Sequence, residues 1–75
     1  LCDDIYRLVG AKIVYFRKIR AFSQEELAVK AGMSRTRISL IECGKCHFTM
    51  DTIIVIAQTL DIELTDLFAG ISVRK

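Results

Sequence analysis

Helix start and stop signals are packed more densely between Ser23 and Gly44 than anywhere else in this 75-residue chain, and they constrain the fold most. Ser23-Gln24-Glu25-Glu26 has the form of a capping box. The Ser23 hydroxyl can accept the N–H of Glu26, and the Glu26 carboxylate can accept the N–H of Ser23. Gly32 stops the helix that follows, because a left-handed residue is cheap only for glycine. Ser34 caps the next helix and Gly44 ends it. Two helices, about 24–31 and 35–43, are therefore short and joined by a tight turn. Leu27, Ala28 and Ala31 point inward from the first; Ile38 and Ile41 point inward from the second.

The flanking segments are also helical. Ile5, Leu8, Val9, Ile13, Phe16 and Ile19 form a 3.6-residue stripe, which predicts a helix over about 4–20 with Asp3 and Asp4 at its N-terminus. Thr49 caps a helix over about 50–60, and a short one follows over 64–69 before Gly70. Proline is absent and no strand or internal repeat is visible. The fold class is all-α, in one domain over 1–75, because 75 residues leave no room for a second core.

Composition excludes other classes. Hydrophobic residues make up 52% and charged residues 27%, too apolar for a disordered chain and too charged for a membrane protein. The longest apolar run, Ile53 to Ala57, is far below the roughly 20 residues that span a bilayer. No signal peptide is visible, although a start at Leu1 rather than Met leaves room for an upstream segment. Three cysteines cannot all pair within one chain, which fits a reducing, cytoplasmic setting. Charge is uneven: +4 over residues 1–45 and −2 over 46–75. The positive part suits a polyanion; a solvated mixed surface is the plainer account of charge alone.

Two short helices around a glycine turn form a helix-turn-helix pattern. Ala28 gives the small side chain that steeply crossing helices need, and Ile38 and Ile41 give aliphatic anchors. The stretch from Ser23 to Lys45 resembles the DNA-binding domain of the XRE family, the Cro and phage-repressor type. The likeness runs from about Val9 to Phe68 and includes Ile56-Ala57 through Leu67-Phe68. It implies a lambda-repressor-like bundle of five helices that binds duplex DNA, usually as a twofold dimer on a palindromic operator. A phage-type repressor, a restriction–modification controller, an antitoxin or the DNA-binding half of a longer protein would all fit.

The resemblance also implies residue roles. Helix 35–43 becomes the recognition helix in the major groove, with Arg35, Thr36 and Arg37 at base edges and Ser39 or Leu40 reaching a base or thymine methyl. Gln24, Ser34 and Lys45 become phosphate contacts, helped by the helix N-terminus behind Gln24. Arg17 and Glu42 occupy the positions of a buried ion pair. Two segments depart from the family. Cys43 stands where members carry Arg or Asn, and Cys46-His47-Phe48 replaces a polar linker. Ile54 and Val55 make helix 50–60 apolar nearly all round, which suggests a partner surface. With Leu64, Leu67, Phe68, Ile71 and Val73 they form the expected homodimer interface, against the simpler account that Leu64, Leu67 and Phe68 are core.

Cys43-Gly-Lys-Cys46-His47 also matches the C-x-x-C-H pattern of c-type haem attachment, with Met33 or Met50 as second axial ligand. Cys43, Cys46 and His47, with Cys2, would make a zinc set, and Cys43 with Cys46 a redox pair. The favoured account is that these cysteines are incidental small residues, with no cofactor and no metal. A lone histidine, no Gly-rich phosphate loop and no Ser/His/acid spacing argue against an enzyme. The competing class is a protein–protein module using the apolar surface of the last two helices.

Overall fold

A computed structural model describes residues 2–71 of the chain, with side chains from Asp4 onward. Five helices follow in order: α1 (Cys2–Ile19), α2 (Gln24–Ala31), α3 (Arg35–Glu42), α4 (Met50–Leu60) and α5 (Leu64–Phe68). The bundle is all-α, as the periodicity predicts. Helix ends shift slightly from the sequence reading. α1 begins at Cys2 and stops at Ile19, because Ala21 turns left-handed with φ of 59°. α3 yields Cys43 to the cap, and α5 stops at Phe68 because Ala69 is extended.

The capping box forms as the sequence predicts. Glu26 N–H donates to Ser23 Oγ at 3.0 Å, and Ser23 N–H donates to Glu26 Oε1 at 2.9 Å. The Ser23 N–H, and after it the Ser23 hydroxyl, hold the Glu26 carboxyl below its ordinary value. The box therefore stabilises fully above the ordinary carboxylate range and loses that contribution as pH falls through the lowered value. Gly32 takes φ of 69°, and Met33 N–H returns to Ala28 O at 2.9 Å, so the chain reverses within two residues.

One cluster of fully buried side chains organises the bundle. Val9 and Ile13 come from α1, Leu27 and Ala28 from α2, and Ile38 and Ile41 from α3. Ile53, Ile56, Ala57 and Leu60 come from α4, and Leu67 from α5. Two members of the predicted α1 stripe do not join it. Leu8 and Ile19 are exposed, whereas Ile5 and Phe16 pack half-buried against the cluster.

α1 and the end of α3 meet backbone to backbone. A Cβ on Gly10 would lie 2.4 Å from Ile41 O and 2.6 Å from Glu42 O. One on Gly44 would lie 2.6 Å from Arg7 Cα. The other end of α1 reaches α4. Arg20 Nε donates to Leu60 O at 2.8 Å, and its Nη2 donates to Asp61 O at 3.0 Å. This cation satisfies terminal carbonyls at the negative end of α4. Asp61 itself carries the left-handed cap with φ of 57°.

Gly10→Ala is expected to reverse the usual helix preference. In an open helix, alanine gains roughly 1 kcal/mol over glycine. Here the clash with α3 carbonyls should instead cost about 1–3 kcal/mol, the scale of overpacking, read as a lower urea midpoint at unchanged slope.

Candidate nucleic-acid interface

α3 divides cleanly into two faces. Ile38, Ile41 and Glu42 are buried. Arg35, Thr36 and Arg37 are exposed, Leu40 is exposed and Ser39 is half-buried. The four contiguous residues from the cap therefore project polar or cationic groups outward, while the same helix anchors itself through two isoleucines. Ser34 Oγ accepts Arg37 N–H at 3.1 Å, which fixes the first turn. The Ser34 hydroxyl hydrogen is not consumed by that bond and can donate to an anion. Lys45 is exposed just past the helix, its N–H bonded to Leu40 O at 2.9 Å.

Beneath this face lies a buried polar junction. Arg17 Nε donates to Glu42 Oε2 at 2.7 Å and Nη2 to Oε1 at 3.2 Å, a bidentate pair whose side chains are 12% and 3% exposed. Arg17 Nη1 also donates to Phe22 O at 2.8 Å, just ahead of the α2 cap. Gln24 Nε2 donates to Glu42 Oε1 at 2.9 Å. One carboxylate thus ties the end of α3 to the last turn of α1 and the first residue of α2. The Gln24 contact was not legible in the residue pattern. It redefines the role expected of Gln24: a carboxylate accepts only, so the amide nitrogen must face Glu42, leaving its second hydrogen for a phosphate. Among the described residues, no buried side-chain nitrogen or oxygen lacks a partner.

The expected partner surface is only partly available. Ile54 and Val55 are 38% and 37% exposed on α4. Leu64, Phe68 and Ile71 are half-buried against the core. Leu67 must be withdrawn from that surface: at 0% exposed it is core, because the short α5 turns this side chain onto the buried cluster. Val73 lies outside the described residues.

The Cys43–His47 segment is organised by packing. Cys43 is exposed at the α3 cap, and Cys46 is half-buried against the core. The His47 ring stacks on Tyr6 at 4.2 Å and 11°, and Phe48 meets Tyr6 edge-on at 4.6 Å. Among the described residues, no three His, Cys, Asp or Glu side chains gather closely enough to hold a metal ion. The side chain of Cys2 lies outside them.

Comparison with known proteins bears on this arrangement. A family model described as a helix-turn-helix domain matches residues 10–73. The chain belongs to that helix-turn-helix family. It is 31% identical over 64 residues to control protein C.SmaI of Serratia marcescens, covering 85% of this chain and 76% of that one. It is 34% identical over 62 residues to the HTH-type transcriptional regulator SlrR of Bacillus subtilis, covering 81% of this chain and 41% of SlrR. The crystal structure of the restriction-modification controller protein C.AhdI from Aeromonas hydrophila superposes with a TM-score of 0.81 at 31% identity. That match covers 87% of this chain and 97% of the controller. In this helix-turn-helix chain, α2 and α3 are the two helices of the motif, and Gly32 is its turn.

Because Glu42 is buried, Arg17→Met should cost about 3–5 kcal/mol, against roughly 0–1 for a loose surface pair. Thermal melting distinguishes the two. The double variant Arg17→Met/Glu42→Leu should recover part of the loss, since it removes the stranded charge.

Proposed function

We propose that this protein is a sequence-specific transcriptional regulator that binds double-stranded DNA, not an enzyme. In this reading α3 enters the major groove of a palindromic operator and the chain acts as a homodimer. The observation that carries it is the outward face of α3, where Arg35, Thr36 and Arg37 stand exposed on a helix anchored by Ile38 and Ile41. Two guanidinium groups in the first turn of α3 lie at the positive end of its dipole, so folding alone does not favour them there. An arginine fork matches guanine O6 and N7, and Leu40 or Ser39 suits a thymine methyl or a base edge. Ser34, Gln24 and Lys45 are the phosphate donors that set register. The likeness to control protein C.SmaI and to the controller C.AhdI supports a controller-type regulator. A cytoplasmic location follows from the DNA partner.

The twofold assembly rests on Ile54 and Val55, two aliphatic residues exposed side by side on α4. Leu64, Phe68 and Ile71 present their remaining edges beside them. The isologous contact of a C2 dimer brings each such patch onto its own copy. This accounts for the apolar surface without a separate protein–protein function.

Fluorescence anisotropy with duplex DNA tests the binding. Log affinity should fall with log salt at a slope near −0.9 per phosphate neutralised. Arg35→Ala should weaken a selected site by about 1–3 kcal/mol and random DNA much less, whereas Lys45→Ala should weaken both alike. Equal losses from the two changes would remove Arg35 from the base-reading set. For the assembly, Val55→Glu should convert a dimer seen by light scattering into a monomer that melts at nearly the same temperature. A wild-type monomer at high concentration would refute the dimer.

A further inference from the structure

Arg37 does not stand on α3 alone. Its Nη2 lies 3.3 Å from Thr52 Oγ1, in the first turn of α4. Thr52 Oγ1 lies 3.1 Å from Thr49 Oγ1, and Thr52 N–H donates to Thr49 Oγ1 at 3.3 Å. Chemistry fixes the direction of the first of these bonds. A guanidinium has donors only, so the Thr52 oxygen accepts from Arg37. The Thr52–Thr49 hydroxyl contact can run either way, because each oxygen keeps a hydrogen and a free lone pair. In either direction the Thr52 hydroxyl is bonded to Thr49 and its N–H donates to Thr49 Oγ1, so both Thr52 polar groups are committed and its rotamer is held.

From this geometry we infer that Thr52 is a positioning residue for Arg37, and that the first turn of α4 thereby sets which base the Arg37 fork reads. The inference rests on the proposed role of Arg37 as a base contact. An exposed arginine samples many rotamers and loses that freedom when it engages a base. A tether at Nη2 removes part of that freedom beforehand and restricts the plane of the fork. Nη2 carries two hydrogens, so one can stay on Thr52 while the other joins Nε or Nη1 in a bidentate approach. The N-terminus of α4 is the positive end of its dipole, which does not attract a cation, and Asp51 in the same turn supplies a carboxylate that does. The directional bond is made by the hydroxyl, so removing it while Asp51 stays in place tests the tether specifically.

Thr52→Val keeps the β-branched shape and deletes the hydroxyl; Thr52→Ser keeps the hydroxyl. Each variant, Arg37→Ala and the double variant Arg37→Ala/Thr52→Val are compared by anisotropy on the selected site, on its single-base variants and on random duplex. Thr52→Val should lower discrimination about fivefold, the worth of one ordinary hydrogen bond, at the same base pair that Arg37→Ala relaxes. Affinity for random DNA and the melting temperature should be unchanged. Thr52→Ser should restore discrimination, and Thr52→Val should add nothing in the Arg37→Ala background. Equal losses on selected and random DNA, failure of serine to rescue, or additive effects would overturn the positioning role. If Arg37→Ala relaxes a base pair and Thr52→Val does not, only the Thr52 inference falls. If Arg37→Ala relaxes no position, the base-contact role of Arg37 falls and takes this inference with it.

Discussion

The Glu42 carboxylate is the point on which the helix-turn-helix frame depends. Placing a charge at 3% exposure is costly unless every lone pair is used. Here one oxygen takes Arg17 Nε, and the other takes both Arg17 Nη2 and Gln24 Nε2. Those donors come from two other helices, so the carboxylate is satisfied only when α1, α2 and α3 are in one relative position. Apolar packing alone is less directional. Leu27, Ile38 and Ile41 would tolerate a small slide of α3, whereas a shift of about 1 Å would break a bidentate pair. The buried junction therefore supplies the precision and the core supplies the driving force.

The same junction sits directly behind the outward face of α3. Glu42 ends that helix, and the five exposed or half-exposed positions proposed to read bases, Arg35, Thr36, Arg37, Ser39 and Leu40, lie on its other side. Gly10 and Gly44 complete the arrangement by letting the α1 backbone approach the end of α3 within the space of a single methyl group. The polar face is thus carried on a helix gripped along its buried side and at its C-terminal end. Its N-terminal end is gripped by Ser34. A reader of base edges needs this rigidity, because a base contact discriminates only when the wrong pair cannot be met by a small adjustment.

What was legible in the sequence was local or periodic. The Ser23–Glu26 box, Gly32 and the Ser34 cap are written within four residues of where they act. The alternation of Ile38 and Ile41 with exposed positions follows from helical geometry. The Arg17–Glu42 pair was legible only by resemblance, since 25 residues separate the partners. The contacts that were not legible join residues far apart with no repeating pattern. Arg20 sealing the end of α4 is one, and Arg37 resting on Thr52 is another. Gly10 did carry a signal, because a glycine inside a helix stripe calls for a close neighbour. It could not say that the neighbour was α3. Leu67 stood open between core and partner surface, because an apolar residue on a short helix looks the same facing either; its full burial places it in the core.

α4 is held at both ends by arginines from other helices, Arg37 at its first turn and Arg20 at its last. Between them lie Ile54 and Val55. In the proposed twofold assembly this makes α4 a caliper arm, its jaw at the DNA and its pivot at the symmetry axis. The twofold rotation repeats any tilt of the arm in the partner, so the gap between the two proposed reading helices changes by twice the displacement of either along the line that joins them. Spacing between half-sites would then be measured by the stiffness of one eleven-residue helix rather than by any side chain that touches a base.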